Sequence, residues 1–169
     1  MKKQGYEMEY VKIEESEQRS FGQKKSHTII FVAGGRGYLH QENEKIVCTM
    51  EDLIFIKPGN KVKLEYRKNK YPLELYVLYV GTELLRSLSD ENTKLDEAFD
   101  VVPFQVKMVH SESESAMLIK SISKKLYSMI KESPKFAHTL YEKSLLTMLL
   151  VLALRSSVKE LSLIHISEP

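Results

Sequence analysis

His27-Thr28-Ile29-Ile30-Phe31-Val32-Ala33-Gly34-Gly35-Arg36-Gly37-Tyr38-Leu39-His40 decides how the rest of the chain is read. An apolar, β-branched run ends at a cluster of glycines and a second short run follows at once, the pattern of one strand turning into the next. Downstream, similar runs recur at Lys45 to Thr49, Leu53 to Ile56, Lys61 to Tyr66 and Leu73 to Val80. The breaks between them have local causes. Gln41-Glu42-Asn43-Glu44 makes a polar hairpin turn, and Lys57-Pro58-Gly59-Asn60 places Pro and then Gly where a tight turn wants them. Strands this closely spaced leave no room for crossover helices, so the sheet is expected to be antiparallel. Val62, Leu64 and Tyr66 alternate with Lys61, Lys63 and Glu65, giving one face to the core. Leu73 to Val80 is apolar on both faces apart from Glu74 and is expected to be a central strand.

Upstream, residues 1–26 carry charges of both signs with sparse apolar punctuation and are expected to form an arm or a marginal first strand. Residues 82–100 look like a short helix and a polar loop, and Pro103 to Val109 one more strand. The pattern then becomes helical. Ser111-Glu112-Ser113-Glu114 offers a capping box, and Ile119, Ile122, Leu126 and Met129 follow as an amphipathic stripe. Ser133-Pro134 reads as N-cap and N1 of a second helix running to about Ser157. Two helices joined so tightly are expected to lie antiparallel.

The second helix bears on function, because Leu145, Leu146, Met148 to Leu152 and Leu154 surround its axis. Either it is sandwiched between the sheet and the first helix, or a second copy of the chain covers its far side. Dimerisation is the favoured reading, with Leu145, Met148, Leu149 and Leu152 at the interface.

Composition narrows the function classes. A 169-residue chain with 43% apolar and 28% charged residues is long enough for one core and too hydrophobic for disorder. A net charge of +2 lacks the basic footprint of phosphate binding. The lone Cys48 forms no internal disulfide and suits the cytoplasm. Met1-Lys2-Lys3 is followed by Gln4, Glu7 and Glu9 with no apolar segment, so no secretory leader is expected, and the most apolar run, Leu145 to Leu154 with only Thr147 polar, is far short of the roughly 20 residues that span a bilayer.

The glycine-flanked run from His27, followed by Glu51-Asp52-Leu53-Ile54-Phe55-Ile56-Lys57-Pro58-Gly59-Asn60, the strand Tyr76 to Val80 and the two later helices resemble the effector-binding and dimerisation domain of AraC-type transcriptional regulators. The resemblance covers about 27–157. It implies a mainly β fold with added helices: an antiparallel cupin-like β-barrel (double-stranded β-helix) over 27–110 and an antiparallel helix pair over 111–158. Two positions depart from the pattern, Glu51 where Gly is expected and Val62 where His is expected. Residues 159–169 also depart and are expected to be a non-native or truncated tail.

The resemblance implies a small-molecule effector, such as a sugar, a homodimer, and contact with DNA only through a C-terminal domain missing from this sequence. A stand-alone cupin-like protein, enzymatic or merely ligand-binding, is the alternative. Metal-dependent cupins gather an HxH pair, a Glu and a further His, whereas His27, His40, His110, His138 and His165 are isolated here, so neither a metal nor another cofactor is expected. No serine sits in a nucleophile elbow, and Gly34-Gly35-Arg36-Gly37 lacks the lysine and following helix of a phosphate loop. The expectation is a binding module and not an enzyme. Its ligand is expected inside the barrel, against Val62, Leu64, Tyr66, Leu75, Val77 and Tyr79, with Tyr38 and His27 at the mouth.

Overall fold

A computed structural model describes residues 5–101 and 105–166, with 158–166 described by backbone alone. In chain order the elements are β1 (Tyr6–Ile13), β2 (Glu17–Phe21), β3 (Ser26–Gly34), β4 (Arg36–Gln41), β5 (Glu44–Thr49), β6 (Asp52–Ile56), β7 (Val62–Tyr66), β8 (Leu73–Gly81), α1 (Thr82–Ser87), α2 (Leu95–Asp100), β9 (Val106–His110), α3 (Ser113–Met129) and α4 (His138–Ile166). The strands form two sheets, ordered β1-β8-β3-β6-β9 and β2-β7-β4-β5, and the pairings are antiparallel. This is the expected mainly β, cupin-like architecture followed by a helix pair.

Side-chain alternation sorts the apolar residues into two cores. One lies between the sheets, where Ile30, Val32, Ile54, Ile56, Leu64, Leu75 and Val77 meet. The other lies between the larger sheet and the helices, where Ile29, Phe31, Leu53, Phe55, Leu78 and Val80 meet Ile119, Leu126, Leu146 and Leu150. β3, β6 and β8 feed both cores, which is why they read as apolar on both faces. β8 sits between β1 and β3, an interior strand as its sequence indicates.

Several features differ from expectation. The supposed arm forms β1 and β2, and β1 is zipped to β8 from Tyr6 opposite Val80 to Ile13 opposite Leu73. Its alternation is hidden in the sequence because Tyr6 and Met8 face the helices while Val11 and Ile13 face the space between the sheets, with Glu7 and Glu9 preceding them on that second face. The capping box does not form. Glu112 is the N-cap of α3 without a side-chain cap bond, and Ser111 instead donates its N–H (3.1 Å) and Oγ–H (2.5 Å) to the carbonyl of Glu51. The second helix starts at His138, after Ala137 at φ +54°, and not at Pro134. Its backbone continues to Ile166, through part of what reads as a tail. The expected strand from Pro103 is observed from Val106, and Pro103 itself lies outside the described residues.

α4 is held to its own chain along one face. Leu146, Leu149, Leu150, Ala153 and Leu154 are buried in the helix-side core. The buried carboxylate of Glu142 accepts a 2.6 Å hydrogen bond from the Tyr6 hydroxyl, joining α4 to β1. Burial, together with the hydrogen bond and charge of Glu142, raises the Tyr6 phenol well above its ordinary value. No helix among the described residues is long and apolar enough to cross a membrane.

Candidate functional site

The residues expected to line a ligand cavity inside the barrel do converge. Val62, Leu64, Tyr66, Leu75, Val77 and Tyr79 are all buried members of the core between the sheets. Tyr66 uses its hydroxyl internally, donating to the carbonyl of Tyr71 at 2.8 Å and accepting from the N–H of Asn69 at 3.2 Å. Side chains of this size fill the interior of a small barrel without help from a ligand. Tyr79 lies toward the end of β1 where Glu7 and Glu9 stand, and burial, reinforced by those two carboxylates, pushes its phenol up to about 12.

The two residues expected at the mouth are elsewhere. Tyr38 alternates with inward Leu39 and so lies on the outer face of its sheet, with the Arg67 guanidinium 4.6 Å from its ring centre. Arg67 and His40 also bind Glu65, at 2.8 and 2.7 Å, and hold its carboxyl down to about 2. His27 points to the helix side, where its ring packs at a tilt of 48° against Phe99 with centroids 5.4 Å apart. Its Nε2 lies 3.5 Å from the carboxylate of Asp100. Burial lowers the His27 pKa and outweighs the raising effect of Asp100, whose carboxylate is largely exposed.

A testable pH dependence follows. The folded pKa of His27 lies below its unfolded value of about 6.5, so the neutral ring contributes stability above that pH. The contribution is lost as the pH falls from there through the lowered folded value. Thermal unfolding should show a steeper loss of Tm between pH 7 and 5 in the natural protein than in His27→Gln, and parallel curves would refute the assignment.

Open space lies on the other side of the larger sheet. A cleft of about 990 Å³ is bounded by the segment from α1 to α2 (Leu88, Asp90, Thr93, Leu95, Ala98), the end of β9 and start of α3 (His110, Glu112, Ser115), and the later turns of α4 (Thr147, Val151, Leu152, Leu154, Arg155, Ser156). Its volume is at the upper end of the usual range for small-molecule sites. The walls combine an aliphatic surface with a few polar groups. His110 is oriented by the buried Asp52, whose Oδ1 lies 2.8 Å from Nδ1, and Asp52 in turn accepts from the N–H of Thr49 at 2.8 Å. Next to it, Glu51 occupies the left-handed region at φ +81°. This is the position where the family resemblance expects Gly, which adopts that conformation without steric cost.

The sequence gives little sign of this cleft. Its floor comes from 82–100, which reads as a helix and a polar loop, and its far wall from α4 residues of which Leu152 alone reads as interface. The available clue was Leu84, Leu85, Leu95 and Phe99, apolar residues on short helices that need something to cover. Among the described residues no three His, Cys, Asp or Glu side chains gather as metal ligands.

A family model for the AraC-like ligand binding domain matches residues 10–150. The chain belongs to that family. The match takes in both sheets from the end of β1 onward, α1 to α3 and the first half of α4, hence most of the cleft as well as the barrel. A search of curated proteins finds no match. Among solved structures, an apo variant of ToxT from Vibrio cholerae overlays with a TM-score of 0.65 at 11% identity, covering 94% of this chain and 57% of that one. Wild-type ToxT from the same species, with unsaturated fatty acid bound, gives 0.60 at 12% identity, with 86% and 52% covered. A cupin protein, BF4112 from Bacteroides fragilis, gives 0.37 at 18% identity, with 46% and 66% covered. The ToxT likeness is one of fold, and this AraC-like domain spans a little over half the length of those chains.

Proposed function

We propose that this chain is the effector-sensing and dimerisation half of an AraC-type transcription regulator, working in the cytoplasm and assigning no residue to catalysis. The observation that carries the reading is the cleft beside α4, open space bordered by aliphatic walls and a few polar groups. On this reading the effector sits on the helical side of the larger sheet and not between the sheets. Family membership supports ligand sensing, and ToxT, a neighbour in fold, has been solved with a fatty acid bound. The aliphatic walls favour a ligand with an apolar body over a sugar, which needs convergent polar groups.

Dimerisation is proposed through the face of α4 that its own chain leaves open. Met148 is 50% exposed and Leu140 69% exposed, Leu145 and Leu152 are part-buried, and Leu149 is 4% exposed and turned inward. Of the four residues expected at an interface, Leu149 is therefore structural, while Met148 remains the centre of the proposed contact. Because α4 also walls the cleft, a ligand that binds one setting of this helix more tightly biases the dimer, and with it a DNA-binding half beyond this sequence.

The test uses 1-anilinonaphthalene-8-sulfonate as a reporter of the cleft. The full chain should enhance its fluorescence saturably with about one site per chain, and Ala98→Trp, which fills the cleft from α2, should abolish that site without lowering Tm. An unchanged titration in Ala98→Trp would overturn the placement.

A further inference from the structure

We propose that the outer face of the smaller sheet is itself a contact surface for double-stranded DNA, one that holds the phosphate backbone without reading the base sequence. The choice of DNA rests on the regulator reading above, and the surface rests on strand register. Leu39, Cys48 and Leu64 point into the core between the sheets, so their neighbours on β4, β5 and β7 point outward. Those neighbours include Arg36 and His40 on β4, Lys45 on β5 and Lys63 on β7. Lys61 and Arg67 continue β7 at either end in the same phase, flanking the buried Val62 and Tyr66. His40 stands opposite Lys63 on one side and Lys45 on the other. The helices pack on the larger sheet and leave this face uncovered, so that Arg36, Lys45, Lys61, Lys63 and Arg67 are all exposed.

Charge decides the kind of partner. Those five cations surround one carboxylate, Glu65, which already takes Arg67 at 2.8 Å, His40 at 2.7 Å and Lys45 at 3.4 Å. Arg67 meets it through Nε alone, which leaves the outer nitrogens of its fork for a phosphate oxygen. Glu42 and Glu44 stand at the β4–β5 hairpin, on the rim of the face, and Glu17 on β2 is bound by Arg19 at 2.9 Å. The net charge of +2 averages over this segregation and conceals it. Between the cations stand neutral donors of the kind that phosphate oxygens accept from, with Ser20 opposite Lys63, Gln18 opposite Glu65 and Thr49 opposite Arg36. An acidic protein would need an apolar anchor as well as charge. The face offers it little, because Val47 is only 46% exposed and the Arg67 guanidinium lies over the ring of Tyr38 at 4.6 Å.

Fluorescence anisotropy of the full chain with a short labelled DNA duplex, titrated at several salt concentrations, tests the proposal. Binding at low salt should have a Kd of roughly 1 to 100 µM, in the range of sequence-independent contacts. The logarithm of the association constant should fall against that of salt with a slope of about −4, near −0.9 for each phosphate held. Lys63→Gln should make that slope shallower by about 1 and weaken AT-rich and GC-rich duplexes alike. The double variant Lys120→Gln/Lys124→Gln, on the exposed side of α3, should change neither. All three lysines are exposed, so Tm should hold in both variants. An unchanged slope in Lys63→Gln, or an equal loss in the α3 variant, would overturn the assignment of the face. No binding to DNA, or tighter binding to an RNA duplex or to polyglutamate, would overturn the choice of partner. Either failure leaves the 1-anilinonaphthalene-8-sulfonate titration of the cleft, and with it the effector reading, unaffected.

Discussion

Leu149→Ala is expected to lower the free energy of unfolding by about 3 kcal/mol, within the range for deleting a buried leucine side chain, whereas Met148→Ala should change it by less than about 1 kcal/mol. These neighbours differ in what they touch. Leu149 is 4% exposed in the core between α4 and the larger sheet, and Met148 is 50% exposed on the opposite side of the helix. Urea unfolding of the two variants checks the contrast, and similar losses at both sites would mean that α4 is seated differently. The same pair separates folding from association. Met148→Glu should leave the chain folded and shift its sedimentation at micromolar concentration from dimer to monomer. A chain that sediments as a monomer before any substitution would remove the dimer from the account.

Gly35→Ala should be still more damaging, costing more than about 3 kcal/mol, while Gly59→Ala should cost about 1 to 2 kcal/mol. Both glycines have positive φ, +78° at Gly35 and +85° at Gly59, so the backbone penalty is comparable. Their surroundings are not. A Cβ at position 35 would lie 2.2 Å from the carbonyl oxygen of Pro72 and 2.9 Å from the Cα of Leu73, and only a shift of backbone could relieve it. At position 59 nothing lies within 4 Å. Gly35 thus connects β3 to β4 where the start of β8 passes close by, and Gly59 only turns the chain. Equal losses in thermal unfolding would show that φ alone sets the cost and that the close approach does not matter.

The barrel was legible because period-two alternation and turn chemistry are local signals. Val62, Leu64 and Tyr66 had to share a face whatever else the chain did, and Pro58-Gly59 had to turn. β1 was obscured because its buried residues change face part-way, from Tyr6 and Met8 to Val11 and Ile13, according to which core covers each end. α4 shows the limit of composition. A helix apolar on all sides needs cover on all sides, yet nothing in the sequence says whether the cover is its own chain or another. The structure covers one face with the sheet and α3 and leaves Met148 outside. The same ambiguity bears on the site. Inward-facing residues identify an interior, and whether that interior holds a ligand depends on how completely their volumes fill it, a property of three-dimensional packing. The cleft arises where short helices, a strand end and the far half of α4 fail to close on one another, and those segments are far apart in sequence.

The central claim is that the effector binds beside α4 and not between the sheets. A methyl-resolved NMR titration of the full chain, labelled at Leu and Val and titrated with 1-anilinonaphthalene-8-sulfonate, tests it most directly. The account predicts saturable shifts at Leu88, Leu95, Val151, Leu152 and Leu154, with Val62, Leu64, Leu75 and Val77 unmoved. Shifts confined to those last four residues would contradict it and return the site to the barrel.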